Sequence, residues 1–352
     1  MKILYLDHFN FHGGAQDYLL DIAGEIQSRE GCRVWLPTSS IPSISDRVKK
    51  ISPKCQRSFG GTKNPLKLWS EMRYWSTLIR KEKIDLLHCN SIPSLLFGWW
   101  AKKRFKIPLL YTAHDCNLAS HKLTLVKKIP QQIVAVSATV QNYLRENGAT
   151  QPITVISNGL PDFTPHPQKR ETFRVVLPGR VAPTKGLELF IDAAEKLLPR
   201  YRHLEMVIRG DGENKNYVEK IKAKCSRIER LSLEPFLSSK SELYGEADLV
   251  VNASTCLEPL GRTLIEAGVA KLPVIGPNRG GPCEIIQEGE NGFLFQSGSA
   301  ESLSHSIERV VVMSGEERQK MGERGRKLYL KNYTVQSIAG QLTALYRTAL
   351  TV

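Results

Sequence analysis

Residues 173–197 read FRVVLPGRVAPTKGLELFIDAAEKL. FRVVL is an apolar run of strand length, and Pro178 and Gly179 end it. From residue 186 onward apolar positions recur at helical spacing. The stretch is a strand, a loop and a helix, with Arg180 and Lys185 in the loop at the strand's carboxyl end and Gly186 just before the helix. Ligands of open α/β sheets bind at that end. A guanidinium is a planar fork and an ammonium a point charge, so two cations beside a helix N-terminus suit a diphosphate. The competing reading is a pair of solvated surface cations.

The same alternation extends in both directions, which is the pattern of a parallel, doubly wound α/β sheet. In the first half strands are expected over 2–6, 33–36, 85–88, 109–112, 132–135 and 154–156, with helices over 15–28, 66–82, 91–103 and 138–147. In the second half strands are expected over 173–177, 204–208, 231–233, 249–252 and 273–275. Helices there are expected over 186–198, 216–224, 240–246, 263–269, 284–288, 300–313, 316–329 and 335–349. Between the halves lies SNGLPDFTPHPQK (157–169), whose prolines exclude regular structure and mark a linker. This gives a domain over 1–160 and another over 161–334, with a last helix within 335–352 packing back on the first. Two such domains on a hinge form a cleft, a favoured ligand site.

The chain has 352 residues, 41% apolar and 24% charged, which excludes a disordered or collagen-like protein. It has no apolar run of spanning length, and Asp7 and His8 interrupt the N-terminal one, so MKILYLDHFNF reads as a buried first strand rather than a signal peptide. Cysteines at 32, 55, 89, 116, 225, 256 and 283 show no paired spacing. They point to reduced thiols in a cytoplasm and not to a zinc cluster.

The net charge of +14 is uneven: residues 1–165 carry 22 Lys and Arg against 12 Asp and Glu. The basic first half suggests an anionic partner such as nucleic acid, a membrane surface or a phosphorylated acceptor, against the plainer reading of a solvated surface. No nucleic-acid motif or aromatic stacking platform accompanies the charge. SLLFGWWAKKRFK (94–106) sets Trp99 and Trp100 beside four cations, which suits membrane docking. Its place between two strands also makes it a crossover helix with one buried face, and the two readings are compatible.

Two further motifs carry chemistry. In LDHFNFHGGAQDYLLDIA (6–23), Gly13 and Gly14 lie between a strand and a helix, where backbone N–H groups can approach a phosphate. GxGxxG is absent, which weighs against a dinucleotide fold. In LEPLGRTLIEAGVAKLPVIG (257–276), Glu258 and Glu266 are eight positions apart. On one helix that is ~12 Å, too far for the carboxylate pair of a retaining glycosidase at about 5 Å. Pro259 and Gly261 place Glu258 on a loop and Glu266 within the next helix, so the two acids suit different hydroxyl contacts on one extended ligand.

Taken in order, GGA with its helix, GRVAPTKGLELFIDA, EPLGRTLIEAGVAKLPVIG, RGGPCEII and GENGFLF resemble the retaining glycosyltransferases of family 4, from Lys2 to about Tyr346. The resemblance implies the GT-B fold: two Rossmann-like domains, the first binding acceptor and the second the nucleotide sugar. It implies that Glu266 holds ribose hydroxyls and that Glu258 holds the donor sugar beside the backbone of Leu260, Gly261 and Arg262. Arg180 and Lys185 neutralise the diphosphate, and Gly13 and Gly14 press on the donor from the other domain. His114, in LLYTAHD, touches the sugar. Phe236 and Leu237 offer backbone groups to the base, although the glycine frequent before SKSEL is missing. Gln16 stands in place of a glutamate and Leu260 in place of a phenylalanine. Asp211 in RGDGEN resembles half of a DxD, yet the fold generally works without metal, so no metal and no cofactor is expected.

The activity so implied is transfer of a hexose, first glucose, from a UDP-sugar to a glycan or lipid-linked glycan with retention, in polysaccharide biosynthesis. The cytoplasm, at the inner face of the plasma membrane, is the expected setting. The alternatives are a GDP-mannose-dependent mannosyltransferase, a nucleotide-sugar epimerase of the same architecture and a non-catalytic binding protein.

Overall fold

A computed structural model describes residues 1–8, 13–39, 41–52 and 65–351. The chain divides into two compact units, Met1–Pro161 with Thr334–Val352, and Asp162–Tyr333.

The first unit is built on six strands: β1 (Lys2–Leu6), β2 (Arg33–Trp35), β3 (Leu86–Cys89), β4 (Leu109–Ala113), β5 (Gln132–Ala135) and β6 (Ile153–Val155). They form one parallel sheet in the order β2-β1-β3-β4-β5-β6. All of β3 and β4 is buried, as a parallel sheet covered on both faces requires. The helix Gly14–Ser28 packs against the C-terminal helix Val335–Thr351, and Tyr18, Ile22, Ile338, Leu342 and Tyr346 share one core with Ile3 and Tyr5. Within that core Tyr5 and Tyr346 join their hydroxyls at 2.7 Å. His88 joins Tyr346 through Nδ1 and Thr112 Oγ1 through Nε2, the latter at 2.7 Å. Burial, aided by the nearby His114, pushes the His88 pKa down to about 3, so this imidazole is neutral.

The second unit has β7 (Phe173–Pro178), β8 (Leu204–Arg209), β9 (Leu231–Glu234), β10 (Leu249–Val251), β11 (Val274–Pro277) and β12 (Gly292–Phe295). Their order is β12-β11-β10-β7-β8-β9, again all parallel. The chain runs outward from β7 to β9 and then restarts on the other side of β7 with β10. The crevice beyond the carboxyl ends of β7 and β10 is thus a topological switch point. Every residue of β7 is buried.

Several local expectations change. The helix expected over 284–288 is Pro282–Ile285, because Pro282 opens it and Ile286 is already extended. Helices Pro42–Ile51 and Ser120–Lys128 and strand β12 were not anticipated. Each of those helices buries only two apolar side chains, Ile44 with Val48 and Leu123 with Val126, so the periodic signal is faint. Among the described residues no helix is long and apolar enough to cross a membrane. Cys32, Cys89, Cys116 and Cys225 are buried thiols, Cys256 and Cys283 are exposed thiols, and Cys55 lies outside the described residues.

Candidate active site

At the switch point of the second unit, β7 runs into Gly179 and Arg180, a single 3-10 turn at Pro183–Lys185, and the helix Leu187–Leu197. Gly186 caps that helix with φ +66°. A Cβ there would meet the Ala253 carbonyl oxygen at 1.8 Å, so only glycine lets this turn lie against the loop after β10. Thr255 N donates to Thr184 O at 3.0 Å and closes the same contact.

This closeness brings together two side chains separated by 73 positions: Lys185 Nζ donates to Glu258 Oε2 at 2.9 Å. Ser254 Oγ donates to the same oxygen at 2.6 Å. Burial alone would raise the Glu258 pKa, but the Lys185 charge and hydrogen bonds from Ser254, Lys185 and Asn252 outweigh it and hold the carboxyl below its ordinary 4.5. A depressed carboxylate stabilises the fold at pH above the ordinary value, and that stabilisation is lost as pH falls through the lower, folded-state value. The melting-temperature gap between wild type and Glu258→Gln is therefore expected to be flat above pH 4.5 and to shrink below it. A gap that widens under acid would contradict the pairing. Arg180 is exposed on the same loop, and no ion pair or hydrogen bond engages it among the described residues.

Glu266 lies within the helix Arg262–Val269, whose N-cap Gly261 adopts φ +95°. The carboxylate is buried and accepts from Lys240 Nζ at 2.8 Å and Tyr244 OH at 2.7 Å, with Arg262 Nη2 at 3.5 Å one turn back. Burial opposes its ionisation, yet the charges of Lys240 and Arg262 and these hydrogen bonds keep its pKa below the ordinary value. Leu260 is buried beside Gly261, and Gly281 N donates to Glu258 O at 2.8 Å, pinning the loop from 258 to 261. Phe236 is exposed in the segment following β9.

The other candidates belong to the first unit. Gly13 is the extended N-cap of the helix Gly14–Ser28. His114 stands just past β4, its ring edge-on to Tyr18 with centroids 5.5 Å apart. Its Nε2 lies 2.9 Å from Asn90 Oδ1, and Asn90 Nδ2 donates to Asp7 Oδ2 at 2.7 Å. Because the amide nitrogen of Asn90 is committed to Asp7, its oxygen is the acceptor for His114, and Nε2 carries the proton. Asp7 and Asn90 were not singled out from the sequence; their signal is a polar residue directly after each of β1 and β3. Lys240 and Tyr244 were missed as well, since nothing local shows that they face Glu266.

Asp211 contributes its backbone carbonyl to Val181 N at 2.8 Å. Among the described residues no group of three or more His, Cys, Asp or Glu side chains is placed to hold a metal ion.

Residues 162–328 match the family described as Glycosyl transferases group 1, and residues 12–162 match Glycosyltransferase Family 4. The chain belongs to glycosyltransferase family 4. Spore coat protein SA of Bacillus subtilis is 26% identical to this family-4 chain over 305 residues, 76% of this chain and 79% of the relative. The 2-deoxystreptamine N-acetyl-D-glucosaminyltransferase of Niallia circulans is 25% identical over 267 residues, 66% and 68% of the two chains. Among solved structures, Anabaena HepE, crystallised with UDP-glucose, superposes with a TM-score of 0.84 at 22% identity, covering 99% of this chain and all of that one. A glycosyltransferase from Rickettsia africae superposes with a TM-score of 0.87 at 22% identity, covering 99% and 98%. The two six-stranded sheets are thus those of the GT-B fold, and the family-4 protein is an enzyme, a glycosyltransferase. The epimerase and non-catalytic readings fall with this.

Proposed function

We propose that the enzyme moves a hexose, glucose as first choice, from a UDP-sugar to a lipid-linked glycan with retention at the anomeric carbon, in polysaccharide biosynthesis. The observation carrying this reading is the Lys185–Glu258 pair at the switch point of the second unit. An ammonium has three donors, and Glu258 takes one, so Lys185 divides its charge between a donor diphosphate and the acid assigned to the sugar. Arg180 adds an uncommitted guanidinium, and the helix beginning at Arg262 adds the partial positive charge of its N-terminus. These groups stabilise the charge that grows on the departing diphosphate. With no nucleophile assigned on the far face, the leaving phosphate oxygen takes the acceptor's proton as the acceptor enters on the same face. Glu258 holds the sugar, and Glu266 with Lys240 and Tyr244 receives the ribose. The first unit takes the acceptor. Metal is not required.

The choice of UDP-glucose is supported by HepE, whose crystals hold that molecule. A screen of nucleotide sugars by melting temperature tests it, since a ligand that binds only the native state must raise the transition. UDP-glucose is expected to give the largest rise. A larger rise with GDP-mannose would transfer the proposal to a mannosyltransferase.

The lipid-linked acceptor is supported by the surface of the first unit. Between residues 86 and 145 the chain carries eight Lys and Arg and one acid, Asp115. On the helix Ser94–Phe105, Leu96 and Trp99 are exposed, and Lys103 Nζ lies 4.3 Å from the Trp99 ring centroid. Each cation near an anionic bilayer contributes about 1 kcal/mol. The enzyme should sediment with vesicles containing phosphatidylglycerol at low salt, and reversing Lys103 and Arg104 to glutamate should weaken that by about 30-fold or more, as roughly 1 kcal/mol for each of the two lost cations implies. Equal binding to neutral phosphatidylcholine would remove this support.

A further inference from the structure

The second unit contains a buried charge cluster that the chemistry above does not use. Arg209, the last residue of β8, is 8% exposed. It makes a fork-to-fork bond with Glu246, Nε to Oε1 at 2.8 Å and Nη2 to Oε2 at 2.6 Å. Its Nη2 also pairs with Glu234, the last residue of β9. Its Nη1 donates to the Pro235 carbonyl oxygen at 3.3 Å. Arg174 of β7 bridges the same two acids, reaching Glu246 at 3.4 Å and Glu234 by a short contact, whereas the Pro235 carbonyl bonds to Arg209.

The segments that Arg209 joins are specific. Glu246 is the C-cap of the short helix Lys240–Gly245, whose Lys240 and Tyr244 hold Glu266. Pro235 begins the segment carrying Phe236, and only residues 235–239 separate β9 from that helix. One planar guanidinium therefore fixes both ends of a short arch. The arch presents the groups assigned above to the base and, through Glu266, to the ribose. Solvation alone does not explain such burial, because charges this deep are costly unless geometry is exacting, and an apolar cluster would stabilise the fold as well.

We propose that Arg209 is a positioning residue for the nucleoside half of the donor, setting the arch through Glu246 and the Pro235 carbonyl. The proposal rests on the second unit being the nucleotide site. The prediction is selective. Arg209→Lys keeps the charge beside Glu246 but cannot hold two carboxylate oxygens and a carbonyl at once. It should weaken UDP binding about tenfold, the scale of one charge-assisted hydrogen bond. KM for the UDP-sugar should rise with kcat little changed, and affinity for inorganic diphosphate, which Arg180 and Lys185 hold, should stay at the wild-type value. Arg209→Met with Glu246→Leu removes the pair without stranding a charge and should show the same split. Arg174→Met, which leaves the Pro235 bond intact, should bind UDP nearly as wild type does.

Calorimetric titration of the full chain with UDP and with diphosphate, beside circular dichroism for folding, reads these outcomes. If wild type binds UDP and Arg209→Lys binds it equally well, the positioning role is overturned and the donor site stands. Parallel losses of UDP and diphosphate, or an equal loss in Arg174→Met, reduce the cluster to general scaffolding and also overturn it. No UDP binding by wild type overturns the donor assignment itself.

Discussion

Lys185→Ala is expected to lower kcat for sugar transfer by about 10²–10³-fold, the scale of removing one preorganised donor to a developing anion. The ammonium sits 2.9 Å from Glu258 on a turn fixed by Gly186, so the proposed role requires no reorganisation of it as charge builds on the diphosphate. UDP affinity should fall too, because the leaving group resembles bound product. Glu258 loses its largest favourable charge partner in this variant, and its pKa should rise. Steady-state kinetics on protein with unchanged circular dichroism checks the claim. Turnover within a few-fold of wild type would remove Lys185 from the mechanism.

Glu258→Ala should abolish transfer to a similar degree, with the opposite effect on nucleotide binding. The carboxylate is only 13% exposed and holds Lys185, so in the proposed site it competes with the diphosphate for that charge. Without it the ammonium is released to the phosphates, so UDP should bind more tightly than to wild type, while the sugar loses its hydroxyl acceptor. Two substitutions in one ion pair thus push UDP affinity in opposite directions while both remove activity. A merely structural salt bridge predicts the same sign for both. Isothermal titration with UDP separates the two cases, and matching losses of affinity would end the assignment of Glu258 to the sugar.

Much of this was legible in the chain because strand-ending loops announce themselves locally. FRVVLPGR and the PTKG before a helix mark a strand end without tertiary knowledge, and Pro259 and Gly261 separate a loop acid from a helical one. What stayed hidden is long-range. Lys185 and Glu258 were both candidates, but their pairing depends on how β7 and β10 lie side by side. Lys240 and Tyr244 reach Glu266 from 26 and 22 positions away. Arg209 and Glu246 look like surface charges in sequence, since burial of an ion pair leaves no periodic trace. In the first unit, Asn90 and Asp7 are ordinary residues after strands until His114 is placed beside them.

The return of residues 334–351 to the first unit has a consequence for biogenesis. Tyr346 supplies a hydroxyl between Tyr5 and His88, and Ile338 and Leu342 complete the packing over the helix Gly14–Ser28. The first sheet to leave the ribosome therefore cannot finish its interior until residues 334–351 are translated, whereas the segment from 162 to 333 is complete earlier. The usual N-terminal-first order of vectorial folding is therefore expected to be inverted. A nonsense mutation near residue 335 would leave a well-formed second half attached to an unfinished first one.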